Sequence, residues 1–304
     1  MAKNRIVKNQ NPDLLYKRIK SMYMNKYYNM FMNMVKWHGL TTEEQWYVMR
    51  KFWSLGTIAA FRIKNTDMIG YAPYTEFSWN MYDFPSEVTL INERGVPFIP
   101  NTTQVVDKDV VLGWAQFNKK PVKEIVEYYI DRMTQVDMVV NTNIELHKMP
   151  YLIGVDPSDI DKMNDVVNRI LNNELVVFTD LEAVNLLKSV QTAPSYIIDK
   201  LHAYRIQLEN ELLSYFGVDN SGNSEKATTM LLDEINSNNE IINLSQDQFK
   251  TCFDNFCKRI KEVFGKDVSA ELKLKPAEES LESRNRSDAE KESGFVRQGE
   301  NKDE

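Results

Sequence analysis

The 304-residue chain has little of what usually advertises chemistry. It carries two cysteines, Cys252 and Cys257, and three histidines, His38, His147 and His202. The cysteines lie five apart in a segment that reads as helix, where side chains at that spacing point in different directions. Buried, reduced thiols are therefore expected rather than a local disulfide. The histidines are scattered and none sits in an HExxH pattern or beside a cysteine pair, which leaves a zinc site without support. No GxxxxGK[ST] loop, no GxGxxG after a strand and no GxSxG elbow occurs, so ATP hydrolysis by this chain is not expected. Asp156, Asp159, Asp161 and Asp165 bunch together but lack the glycine and the closing bidentate glutamate of a calcium loop, and helix capping accounts for the first two. Glu182, Glu209, Glu211, Asp233 and Glu234 have no basic nucleophile paired with them, so no acid–base constellation emerges and no catalytic residue, metal or cofactor is assigned. No run of eighteen apolar residues exists and the N-terminus has no charged segment followed by an apolar stretch and cleavage site, so neither membrane insertion nor secretion is expected.

What is present is a globular composition, 42% hydrophobic and 27% charged, enough for one large or two modest domains. The net charge of −7 argues against a protein that grips nucleic acid over its whole surface. The distribution is uneven. Lys3, Arg5, Lys8, Lys17, Arg18, Lys20 and Lys26 face Asp13 alone in residues 1–26, while 276–304 holds nine acidic and five basic side chains and almost no large apolar ones. That tail cannot bury enough apolar surface to offset the cost of ordering, and is expected to be disordered. The stretch AKNRIVKNQ ahead of Pro12 alternates cations with polar residues; Lys3, Arg5 and Lys8 suit a phosphate backbone bound by charge alone, or simply a solubilising end.

Apolar spacing predicts an aromatic- and Met-rich helix over 12–37, then a second helix through Trp46, Met49, Phe52 and Trp53 that ends near Gly56. Short apolar runs broken by Gly, Pro and Asn predict a small antiparallel β region to about 118. Residues 119–146, opened by Pro121, form the clearest long helix, roughly 42 Å, with Ile125, Tyr129, Met133 and Val140 on its stripe and Asp131 among the residues of its polar side. A compact insertion follows, with a strand at PYLIGV (150–155), a helix after Asp156 and a second strand at LVVFTD (175–180). A single crossover would make these strands parallel. A second long helix starts at Pro194, carries Ile197, Leu201, Leu208 and Leu212, and stops at Gly217. Residues 217–238 are turn-forming and polar, 246–264 return to helix, and GKDVSAELKLK reads as a closing strand. Neither long helix has a hairpin mate, so each is expected to find its cover on an identical neighbour, a heterologous contact that can close into a ring.

Three stretches, APSYIIDKLHAYRIQLENELLSYFGVDN (193–220), MLLDEINSNNEII (230–242) and CKRIKEVFGKDVSAELK (257–273), resemble the portal, or upper collar, protein of small short-tailed bacteriophages with protein-primed linear genomes. The order and spacing of the three carry the resemblance; residues 119–192 agree in organisation, and 1–118 only in element order and aromatic content. The resemblance implies a mainly α fold with α+β parts and a closed ring oligomer. Its parts would be a basic N-terminal arm (1–11), a wing of helices and a small β-barrel-like region (12–118 and 244–273), stem helices (119–146 and 194–216), an α/β clip (147–193), a tunnel loop (217–243) and an acidic tail (274–304). It implies twelve copies at one capsid vertex, in the virion and, during assembly, the host cytoplasm. The partners would be double-stranded viral DNA, major capsid protein, packaging ATPase, lower collar and tail proteins and, through Lys3, Arg5 and Lys8, a packaging RNA. Asn220, Ser221, Asn223, Ser224, Lys226, Thr228 and Thr229 become the candidate DNA-touching loop, with Lys226 its only cation. Outside the resemblance, a monomeric or dimeric nucleic-acid-binding protein using the basic N-terminus is the alternative.

Overall fold

The computed structural model describes residues 12–148, 151–154, 188–191, 196–219 and 232–273. The chain divides into two compact units, one of Met1–Tyr23 with Ile130–Leu208 and one of Met24–Tyr129 with Glu209–Glu304. Three helices contribute residues to both: α1 (Pro12–Asn33), α3 (Val122–Lys148) and α4 (Ile198–Tyr215).

The second unit is organised around α5 (Leu232–Phe264). This helix begins at Leu232 rather than at 246, because the Asn- and Ser-rich stretch that reads as loop by composition is its first third. Phe249, Phe253 and Phe256 on α5 are buried and form a chain of ring contacts with Phe31, Trp37 and Phe52 at centroid separations of 5.4 to 6.4 Å. Offset and edge-on rings at these distances add to the large area each aromatic removes from water. Phe52 comes from α2 (Thr42–Leu55), whose start is fixed by a capping box. The Glu44 backbone N–H donates to the Thr41 hydroxyl while the Thr41 backbone N–H donates to the Glu44 carboxylate. Gly56 ends α2 with φ of +77° and lies so close to the Lys120 carbonyl that no side chain fits there.

The expected helix over 12–37 stops at Asn33. Residues Val35–His38 are instead strand β1, antiparallel to β10 (Ser269–Leu272), with Val35 opposite Leu272. Val35 and Trp37 are buried while Lys36 and His38 are exposed, the period of two that a half-buried strand requires. Six further strands, β2 (Thr57–Arg62), β3 (Ile69–Ala72), β4 (Tyr74–Trp79), β5 (Pro85–Leu90), β6 (Thr103–Val105) and β7 (Val110–Trp114), make two antiparallel three-stranded sheets in the orders β3-β2-β7 and β4-β5-β6. They share a core of Ala59, Phe61, Ala72, Val88, Leu90, Val110 and Leu112. Among the described residues no pairing closes the sheets into a barrel.

Gly113 on β7 lies under the Phe256 ring, and a Cβ there would come within 2.6 Å of it. Gly113→Ala is expected to cost about 1–3 kcal/mol of stability, the usual cost of overpacking, read as a lower urea midpoint with an unchanged slope. Cys252 and Cys257 are free and buried, as expected. Burial pushes their thiols up from 9.0 to about 11 and about 12 respectively. The folded chain therefore holds these protons more tightly than the unfolded chain. The stability they contribute is complete below pH 9.0 and is lost as pH rises towards 12. The expected result is a urea midpoint that falls between about pH 9 and about pH 12, and falls less when both cysteines are serine.

In the first unit, β8 (Tyr151–Gly154) falls inside the expected strand 150–155, but its partner is β9 (Lys188–Gln191), antiparallel, with Tyr151 opposite Gln191. This antiparallel partner was not expected; the crossover to a parallel strand at 175–180 is not among the described strands. Residues 175–180 and the helix after Asp156 lie outside the described residues.

Candidate functional site

The first unit is stitched by polar side chains at helix crossings. On α1, Tyr16, Lys20 and Tyr23 recur at helical spacing along one face. Tyr16 donates to the Asp131 carboxylate of α3 at 3.0 Å, and Lys20 lies 2.7 Å from the same oxygen. Tyr23 donates to Asp137 at 2.7 Å and accepts from Arg205 of α4 at 3.4 Å, so three helices meet at one phenol. Burial, then the hydrogen bond to Asp137, pushes the Tyr23 hydroxyl pKa up. Arg132 donates to Tyr204 at 3.2 Å. Ile130, Met133, Val136 and Leu208 are buried beside these contacts.

This seam changes the expectation that α3 must look outside the chain for its cover. Asp131, on what reads as the solvent side, is engaged by α1, and the middle of the apolar stripe is covered by the chain itself. Cover supplied by segments 72 to 115 residues distant leaves no hairpin signature in sequence. Towards the end of α3 the stripe emerges: Met133 is 0% exposed, Val136 6%, Val140 half-buried and Ile144 40%, with Val139 exposed beside them. Of the residues expected to pack between subunits, Met133, Leu208 and Leu212 are buried within the chain, and Ile125, Tyr129, Val140, Ile197 and Leu201 are half-buried. Lys3, Arg5, Lys8 and the loop residues Asn220, Ser221, Asn223, Ser224, Lys226, Thr228 and Thr229 lie outside the described residues. The described residues just ahead of that loop are well anchored. Gln246 donates to the Gly217 carbonyl at 2.6 Å, and Phe216 is buried against Tyr27 and Phe31.

Two surface features of the second unit were not singled out from sequence. The hairpin joining β4 to β5 displays Phe77, Trp79, Met81 and Tyr82 to solvent. Its tip is nonetheless ordered: the Asn80 side-chain oxygen accepts from the backbone N–H groups of Tyr82 and Phe84 at 2.9 and 3.1 Å, and Asn80 N–H donates to the Phe84 carbonyl at 2.8 Å. Elsewhere α2, β2, β3 and residues 91–99 enclose an open cavity of about 370 Å³ walled by Tyr47, Phe61, Ile63, Ile69, Tyr71 and Phe98. The aromatic run FSWNMYDF was the available signal for the first; the second is assembled from distant segments and had none. Arg259 of α5 chelates Asp107 and donates to the Leu112 carbonyl at 3.0 Å, tying the helix to the turn before β7. Among the described residues, no three His, Cys, Asp or Glu side chains are grouped to hold a metal ion, and no helix is long and apolar enough to cross a membrane.

The α3 stripe thus passes from buried at Met133 to exposed at Ile144, and the β4–β5 hairpin displays aromatic side chains to solvent. The sequence profile of the Phage Connector (GP10) family matches residues 4–278. The chain belongs to this family: it is a phage portal protein, the connector between head and tail. Among solved structures it is similar to a chain of the portal and tail of native bacteriophage P68, at 10% identity and a TM-score of 0.48, covering 92% of this chain and 95% of that one.

Proposed function

We propose that copies of this chain, twelve in number, close into a ring at one capsid vertex. Double-stranded viral DNA would pass through it during packaging, be retained by it and leave through it at ejection. The observation that carries this reading is the emergence of Val140 and Ile144 from the chain's own cover at the end of α3. Family membership supplies the head–tail setting. A closed ring uses one heterologous contact repeated at every subunit. In this reading α3 and α4 are the stem, β8, β9 and the residues between them belong to the clip, and the two sheets with α2 and α5 belong to the wing. The tunnel segment narrows to the residues ahead of Leu232, where α5 begins. The net charge of −7 fits a wall past which DNA slides, because every fixed cation that neutralises a phosphate adds affinity. The ring would meet major capsid protein, the packaging ATPase and, later, lower collar and tail proteins. Sedimentation of the purified chain tests the reading: a large single species supports it, and a monomer or dimer at every concentration overturns it.

Lys3, Arg5 and Lys8 are proposed as the arm that meets the packaging motor or a packaging RNA. Changing all three to alanine is expected to weaken RNA binding in a filter assay and to flatten its dependence on salt by up to about three units of slope. Affinity unchanged for both RNA and DNA removes the arm from this role.

A further inference from the structure

We propose that the β4–β5 hairpin of one copy inserts its aromatic tip into the cavity formed by α2, β2, β3 and residues 91–99 of the next copy. The proposal rests on the ring reading and names a contact within it.

The hairpin is a preformed knob. Met81 is 85% exposed and Tyr82 72%, with Phe77 and Trp79 on the adjoining outer face of β4, a contiguous apolar display of the kind that marks an interaction surface. The Asn80 turn and the bond from Trp79 Nε1 to the Glu76 carboxylate at 2.9 Å hold it in one shape, so little ordering cost remains for binding. The cavity is a matching socket. Its 370 Å³ accepts a large aromatic side chain and its walls are mostly apolar.

Knob and socket lie at opposite ends of one strand. β5 starts at Pro85, beside the hairpin tip, and ends at Leu90, beside Ile91 on the cavity rim, a span of about 20 Å for six residues. A subunit therefore cannot fill its own socket with its own tip. A patch that matches a pocket elsewhere on the same molecule makes the head-to-tail contact from which rings are built. Charge agrees. The knob carries Glu76 and Asp83, and the socket mouth carries Arg50 and Arg94. Of the carboxylates at the mouth, Glu93 is paired with Lys51 at 2.5 Å and Glu44 caps α2, which leaves Glu43 as the opposing charge.

The test uses the full chain in three variants. The first is the knob variant W79A/M81A/Y82A, the second the socket variant F98E, and the third combines them. All four substituted side chains are exposed, so the monomers should melt as the wild type does. Each of the first two is expected to raise the concentration needed for ring assembly by about 100-fold, as loss of an aromatic anchor does. The combined variant should be no worse than either alone, because both remove one contact. A double-cysteine variant, M81C/F98C, should give a ladder of disulfide-linked multiples that neither single cysteine gives. Additive losses, normal assembly in either variant, or rings that form but fail to enter capsids would each overturn the contact while leaving the ring reading intact. A wild-type chain that never assembles sinks the ring reading itself.

Discussion

Glutamate at both Val140 and Ile144 is expected to leave the subunit folded and to abolish ring formation. Ile144 is 40% exposed and Val140 half-buried, so the single subunit should lose only about 1 kcal/mol and stay folded. In the proposed ring the same positions would face a neighbour. Two carboxylates per copy would then be taken out of water without a partner, at several kcal/mol each, and the penalty would recur at every contact around the circle. Circular dichroism of the variant should match the wild type and its melting temperature should fall by only a few degrees, while sedimentation should show monomer where the wild type gives a large species. A variant that still forms rings would mean that this end of α3 does not lie between subunits.

Removal of residues 221–229 is expected to act at the opposite stage, leaving assembly intact and releasing packaged DNA. The segment lies between two points that the structure holds without its help. Phe216 and Gly217 are fixed to the aromatic core and to Gln246, and α5 runs from Leu232 through the phenylalanines of that core. With Lys226 as its only cation the segment can touch DNA without binding it tightly, as a reversible brake requires. The deletion variant should sediment as rings and its heads should fill normally, but the nuclease-protected genome per particle should fall to a small fraction of the wild-type amount. Full retention of the genome would remove the segment from this role.

Features set by neighbours close in the chain were legible in the sequence. The long helix opened by Pro121, the stop at Gly56, the antiparallel strands between 57 and 114 and the closing strand at 269–272 all follow from local spacing and local breakers. What escaped depends on partners far away. Val35–His38 is a strand because β10 lies beside it, although Met34 and Trp37 at a spacing of three continue the helical pattern of α1. Lys188–Gln191 is strand because it returns against Tyr151–Gly154. The start of α5 was hidden by Asn and Ser residues that read as loop. At the candidate site, the stem stripe was legible as a pattern but its cover was not. The seam depends on Tyr16, Lys20 and Tyr23 meeting Asp131, Asp137 and Arg205, polar residues that reading for apolar periodicity sets aside as solvent-facing. The hairpin knob and its socket share this limit, since complementarity between two distant surfaces has no period to detect.

The most direct measurement is an image of the purified protein viewed down its symmetry axis. Closed rings with a central opening wide enough for a DNA duplex, about 20 Å or more across by the dimensions of the duplex grooves, are the predicted result. A population of small compact particles with no central opening, at concentrations where the chain is folded, would contradict it.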